Sequence, residues 1–139
     1  MSMRLVLDTS VISAIMRREE PALDRLKALH PGDLVISSPV AAEIAFGLRR
    51  LPEGSRRRAL LTVEYERLRR VVPWCDWTEE AALEFGRQKE ALERAGTRVG
   101  DMDVIIGSVA IALGGGVATS NARDFQRMHG LRVDAWPRA

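Results

Sequence analysis

Short apolar runs bounded by turn residues alternate along the chain with longer stretches in which apolar positions recur every three or four residues. Arg4 to Leu7 reads as a strand that runs into Asp8 and the hydroxyls of Thr9 and Ser10, which suit the cap of a helix marked by Val11, Ile12 and Ile15 and ending near Arg18. Pro21 opens a second helix carrying Leu23, Leu26 and Leu29, and His30-Pro31-Gly32 closes it. Leu34 to Ser37 repeats the strand signal, and Ser38-Pro39 starts a helix to about Leu51, broken by Pro52-Glu53-Gly54. Ser55 to Arg70 is amphipathic, Val71 to Trp74 reads as a short strand, and Thr78 caps a helix to Ala95. After the loop Gly96 to Gly100, Val104 to Leu113 is apolar almost all round, as in a helix buried inside a domain, and Gly114-Gly115-Gly116 ends it. Val117 to Thr119 is expected as a strand, Asn121 to Met128 as a turn of helix, and Leu131 to Val133 as an edge strand.

This alternation predicts an α/β fold of three layers, with helices on both faces of a mainly parallel sheet of about four to five strands. Any ligand is then expected near the carboxyl ends of the strands. With 139 residues, no internal repeat and no linker, residues 1–139 read as a single domain.

Composition narrows the chemistry. Hydrophobic residues at 46% and charged residues at 29% exclude disordered and low-complexity classes. No apolar run approaches the roughly 20 residues of a membrane span, and MSMRLVLDTS turns polar too soon for a signal peptide, so a cytoplasmic protein is expected. The lone Cys75 rules out an internal disulfide and a cysteine metal cluster. His30 and His129 are too few for a zinc site, which leaves oxygen ligands for any metal. Only Lys27 and Lys89 are lysine, so 19 of the 21 basic residues are arginine, the better partner for phosphate, although codon bias in the source genome favours arginine equally well.

Carboxylates in apolar surroundings ask for an explanation, because an unpaired buried charge costs several kcal/mol. Asp8 follows an apolar strand at a turn. Glu43 falls on the helical stripe of Val40, Ile44, Gly47, Leu48 and Leu51, expected to face the core. Asp103 directly precedes Val104-Ile105-Ile106, where the helix dipole favours an anion. Each has a structural alternative: Asp8 caps the next helix, Glu43 pairs with an arginine, and either Asp101 or Asp103 is a cap. Taken together they suit Mg²⁺ or Mn²⁺, because clustered carboxylates repel unless a cation neutralises them. Asn121 and Asp124, just after the strand ending at Thr119, are further candidates, with a helix cap and a surface ion pair as their alternatives. With Asp8, Glu43, Asp103 and Asp124 set aside, 15 acids face 21 bases, a charge suited to a polyanionic substrate. Arg49, Arg50, Arg56, Arg57 and Arg58, with Arg67, Arg69 and Arg70, concentrate that charge in one third of the chain, either to contact phosphates or as a solvated face paired with Glu53, Glu64 and Glu66.

LVLDTSVI, VAAEIAFGL, DVIIGSVAIALGGGVATSNARDF and GLRVDAW together resemble PIN-domain ribonucleases of the VapC type, the toxin half of a bacterial type II toxin–antitoxin pair, and the likeness runs from end to end. The resemblance implies a PIN-like fold and Mg²⁺- or Mn²⁺-dependent hydrolysis of RNA, often tRNA or ribosomal RNA. Carried over by position, Asp8, Glu43 and Asp103 are the catalytic, metal-binding acids, and Asp101 becomes a neighbouring cap. Asn121 is the aligned fourth polar position, with Asp124 close by; asparagine binds metal more weakly than aspartate. Ser10 and Thr119 would fix the carboxylates through hydrogen bonds. The resemblance further implies a cognate antitoxin whose tail places a basic side chain in the acidic pocket, and a homodimer, for which the apolar faces around Leu48, Leu51, Leu60 and Leu61 are available.

Three rivals compete with this reading. An Asp-dependent phosphatase or phosphotransferase fares poorly, because Ser10 stands where a second aspartate is needed and no lysine lies in an apolar motif. A non-catalytic RNA-binding or protein-interaction module keeps the arginines and makes the acids relics. A housekeeping RNA-processing nuclease keeps both fold and chemistry.

Overall fold

The computed structural model describes residues 3–138. Its elements follow in chain order: β1 (Leu5–Leu7), α1 (Thr9–Met16), α2 (Glu20–Lys27), a 3₁₀ turn at Pro31–Asp33, β2 (Leu34–Ser37), α3 (Ser38–Arg49), α4 (Arg56–Val71), β3 (Trp74–Cys75), α5 (Glu79–Arg94), α6 (Asp101–Ala112), β4 (Gly116–Thr119), α7 (Ala122–Phe125) and β5 (Arg132–Ala135). The five strands lie in the order β3-β2-β1-β4-β5, and every pairing is parallel.

β2 and β4 are buried along their whole length, as strands covered on both faces must be, which is why they read as continuous apolar runs. On one face α1 packs against α2, α3 and α4; on the other α5 and α6 form a tightly packed pair. The core runs through the sheet from Val6, Leu7, Val35, Ile36 and Val117 to Ile12, Val40, Ile106 and Val109.

Local chemistry sets most boundaries. Ser55 and Thr78 cap α4 and α5 by accepting the Arg58 and Ala81 amides. The triple glycine is required residue by residue: Gly114 ends α6 at φ +71°, and a side chain on Gly115 would overlap the Arg4 carbonyl that pairs with Gly116.

The third strand differs from the expected Val71–Trp74. Val71 is the last residue of α4, Val72 is buried as its cap, and Pro73 stops the helix, so pairing with β2 begins only at Trp74. The helical turn after Thr119 covers only Ala122–Phe125, and α6 begins at Asp101 rather than Val104. Asp101 is not a cap: Gly100 holds that position, and Asp101 lies exposed in the first turn, bonded to Lys89 at 2.5 Å.

The strand order reverses direction between β1 and β4. β1 connects outward to β2 and then β3, whereas β4 connects outward to β5. Diverging connections leave a crevice at the carboxyl ends of the two central strands, where ligands of open α/β sheets bind. Asp8 and Thr119 stand at those ends.

Candidate active site

β1 delivers Asp8 into the crevice, and its neighbours hold it there. Asp8 is 5% exposed. Its Oδ1 accepts the Thr9 amide at 2.8 Å, and its Oδ2 accepts the Ser10 hydroxyl at 2.9 Å and the Thr119 hydroxyl at 2.7 Å. Asp8 is also the N-cap of α1, so the capping alternative is realised alongside any role in the crevice. Thr119 and Ser10 tie the next loop to it: Thr119 Oγ1 accepts the Asn121 amide at 2.9 Å, and Ser10 Oγ accepts the Ser120 amide at 3.2 Å.

The other acids arrive on helices. Glu43, on α3, is half-buried, and its carboxylate accepts the Thr9 hydroxyl. Its stripe was expected to face the core; Val40 and Ile44 do, but the same face then opens into a groove of about 250 Å³ lined by Thr9, Glu43, Leu48, Leu51 and Leu61. No arginine pairs with Glu43 among the described residues. Asp103, in the first turn of α6, is half-buried and pushed up to about 6, first by loss of water and then by repulsion from Asp8, Asp124 and Glu43. The four carboxylates therefore share one electrostatic neighbourhood. Asp124, on α7, is half-buried and lies 3.8 Å from Arg127. Asn121 holds the N-cap position of α7 without a side-chain capping bond, and is exposed.

The remaining candidates spread around this centre. Arg49 and Arg50 are exposed at the end of α3, with the Arg50 guanidinium 5.4 Å from the Phe46 ring. Arg56 and Arg57 line a wide groove between α1 and α4. Arg58 is half-buried, with its Nη1 donating to the Leu51 carbonyl at 3.5 Å across the α3–α4 turn. Leu60 is exposed, while Leu48, Leu51 and Leu61 are half-buried in the grooves.

Residues not singled out from the sequence also shape the crevice. Thr9 holds Glu43, and the signal for it was the hydroxyl directly after Asp8, read only as a cap. Gln88 is buried on α5, where its Nε2 donates to the His129 carbonyl at 2.6 Å and its Oε1 accepts the His129 amide at 3.0 Å. This clamp, with Met128 seated over Gly107, fixes the segment that follows Asp124. Ser37, the last residue of β2, is fully buried, and its hydroxyl has no hydrogen-bond partner among the described residues.

The donor set is carboxylate, hydroxyl and amide oxygen, which suits a hard divalent cation and no soft one. The Asp103 carboxyl is raised first by burial and then by its acidic neighbours, both of which a bound cation would offset. Among the described residues no three acid, His or Cys side chains are already arranged to hold an ion.

The fold and sequence have counterparts among known proteins. The sequence model of the PIN domain family matches residues 5–131. The chain is similar to Ribonuclease VapC1 of Haemophilus influenzae (strain R2866), 31% identical and covering 94% of this chain and 96% of the relative. It is also similar to the tRNA(fMet)-specific endonuclease VapC of Salmonella typhimurium, at 30% identity over 96% of this chain and 98% of the relative. The crystal structure of DNA-bound VapBC from Salmonella typhimurium superposes with a TM-score of 0.82 at 28% identity, covering 97% of this chain and 99% of that one.

Proposed function

The chain belongs to the PIN-domain family, among the VapC ribonucleases, and on that premise we propose that it is a divalent-metal-dependent endoribonuclease, the toxin of a type II toxin–antitoxin pair. The observation that carries this reading is the crowding of Asp8, Glu43, Asp103 and Asp124 at the crevice where the strand order reverses. Mg²⁺ is the preferred ion, with Mn²⁺ as a substitute; when bound it supplies charge neutralisation and Lewis acidity toward water and the scissile phosphate.

Asp8 and Asp103 would hold the ion. Asp8 keeps its orientation through Ser10 and Thr119, and Asp103 is presented by the first turn of α6. Glu43, whose carboxylate accepts the Thr9 hydroxyl, would orient the attacking water or bridge to a second ion. Asp124 supplies a fourth charge, and Asn121 a neutral oxygen that suits a weaker second ion. The exposed Arg49, Arg50, Arg56 and Arg57 add attraction for RNA at long range, and Arg58 supports the turn between them.

The partners in this reading are RNA, a cognate antitoxin and a second copy of the chain. The Salmonella neighbour is a VapBC assembly bound to DNA. The apolar groove beside Glu43, floored by Met16, Ile44, Leu48, Leu51 and Leu61, is where the antitoxin tail would lie. No helix among the described residues is long and apolar enough to cross a membrane, and a toxin that cuts its own cell's RNA and is held by an antitoxin would act in the cytoplasm.

The test is incubation of antitoxin-free protein with total RNA and with tRNA, in Mg²⁺, in Mn²⁺ and in EDTA, beside Asp8→Asn and Asp103→Asn. Discrete fragments that need metal and vanish in both variants are expected. Undiminished cleavage by both variants, at unchanged circular dichroism, would refute the site; metal-independent RNA binding without cleavage would favour a non-catalytic module.

A further inference from the structure

A third groove, of about 450 Å³, opens between α1 and the segments after β4 and β5. Its walls are Ser10, Ser13, Arg17, Glu19, Ser120 and Arg138, with Ala14 and Pro137 the only apolar residues among its lining. We propose that this polar groove holds the phosphate backbone of the RNA on one side of the scissile bond. The proposal rests on the nuclease reading and deepens it by assigning the residues that carry the substrate.

Three observations support it. Ser10 belongs to both places: its hydroxyl donates to Asp8 Oδ2 and accepts the Ser120 amide, so the groove starts one hydrogen bond from the carboxylate. Arg17 and Arg138 are each anchored through Nε alone, Arg17 to Glu19 at 2.6 Å and Arg138 to the Ser120 carbonyl at 3.0 Å. Among the described residues their terminal nitrogens make no hydrogen bond, and a guanidinium steadied at Nε presents paired donors at little further entropic cost, the geometry phosphate oxygens accept. Finally, the hydroxyls of Ser13 and Ser120 make no side-chain hydrogen bond among the described residues and add neutral donors between the two arginines. Glu19, the one carboxylate on the wall, is compensated by Arg17.

The groove beside Glu43 meets this one at Ser13 and Arg17 and adds Arg57, but the rest of its wall, Met16, Ile44, Leu48, Leu51 and Leu61, is apolar and offers a sugar-phosphate chain no donors. A phosphodiester backbone carries one negative charge per nucleotide and gains most where guanidinium and hydroxyl donors are already in place.

The experiment measures binding of a fluorescent single-stranded RNA oligonucleotide of mixed sequence by anisotropy in EDTA across a salt series, and its cleavage in Mg²⁺. Arg138→Gln and Arg17→Gln are expected to weaken binding about threefold or more each and to flatten the logarithmic salt dependence by about 0.7 for each phosphate that is no longer neutralised. They should raise KM while leaving kcat within about twofold. Glu19→Gln is expected to tighten binding, a gain that a purely structural role for this ion pair would not produce. Arg87→Gln, an equal charge change at an exposed α5 arginine paired with Glu84, is the control. If the wild type cleaves RNA and both arginine variants bind and cleave as the control does, the groove assignment is overturned while the nuclease reading stands. If the variants weaken binding but no preparation cleaves, the groove is supported and the nuclease reading fails.

Discussion

Asp8 and Asp103 face the same crevice from opposite layers, and their surroundings treat a carboxylate in opposite ways. Asp8 is the more buried, yet a backbone amide and two hydroxyls donate to it. Asp103 has more access to solvent, but no hydrogen bond of the described residues reaches its carboxylate, and its carboxyl is pushed up to about 6. Burial alone does not set the cost of a charge; the supply of donors does. The strand side is thus a finished mount for one carboxylate. The helix side presents a carboxylate that burial and its acidic neighbours both oppose, so a cation in the crevice would relieve Asp103 more than Asp8.

The largest effect should fall on activity, and equally on both acids. Asp8→Asn and Asp103→Asn should each lower RNA cleavage by about 100-fold or more, because an amide neither neutralises the ion nor holds it firmly; initial rates on the same RNA in Mg²⁺ read this directly. The two mounts separate in stability. Thr119→Val leaves Asp8 buried and short of one donor, at a cost of about 1–3 kcal/mol by denaturant unfolding, whereas Ser10→Ala, at a half-buried site, should cost about 1 kcal/mol. A Thr119→Val protein as stable as the wild type would show that the hydroxyl is not what holds Asp8.

Proton competition sharpens the comparison further. Metal binding must displace the proton that Asp103 carries below about 6, so the apparent affinity for Mg²⁺ should fall as pH drops from about 6 to 5, by up to about tenfold per unit. Titration calorimetry at several pH values measures it, and a flat profile would remove Asp103 from the ligand set.

What the sequence made legible, and what it hid, follows from the same physics. Asp8, Glu43 and Asp103 stood out because charge inside an apolar run is expensive, and that cost is local to a few residues. The order of helices and strands was readable from periodicity, including the short edge strand β5. The two-residue β3 was misplaced because helix propensity carries α4 through Val71, and only Pro73 and the Ile36–Trp74 pairing decide where extended structure begins. Thr119, which was expected to serve Asp8, lies 111 residues away and yet donates to it; Gln88, 41 residues from His129, was not foreseen at all. Arg138, too, meets Ser120 only because β4 and β5 pair. Such pairings exist only after the chain has folded, and a residue with an ordinary local context gives no sign of them. Glu43 shows the limit in reverse: the helical wheel found its stripe, but not that all of it beyond Val40 lines a groove.

The smallest effect discriminates best between the two acids. In metal-free protein Asp103→Asn removes a charge that its surroundings oppose, so the variant should be more stable than the wild type at pH 7, by at most about 1 kcal/mol once solvent screening of this half-exposed group is allowed for. The pH dependence fixes the assignment. A carboxyl near 3.8 in the unfolded chain and about 6 in the folded one binds its proton more readily when folded. Its contribution to stability is therefore full below about 3.8 and is lost as pH rises through about 6. The difference in unfolding free energy between variant and wild type should accordingly shrink as pH falls from 6 to 4, and should shrink also when Mg²⁺ is added at pH 7, since the ion relieves the same repulsion. A variant less stable than the wild type at pH 7 without metal would mean that Asp103 is held by attractive contacts, and the contrast with Asp8 would disappear.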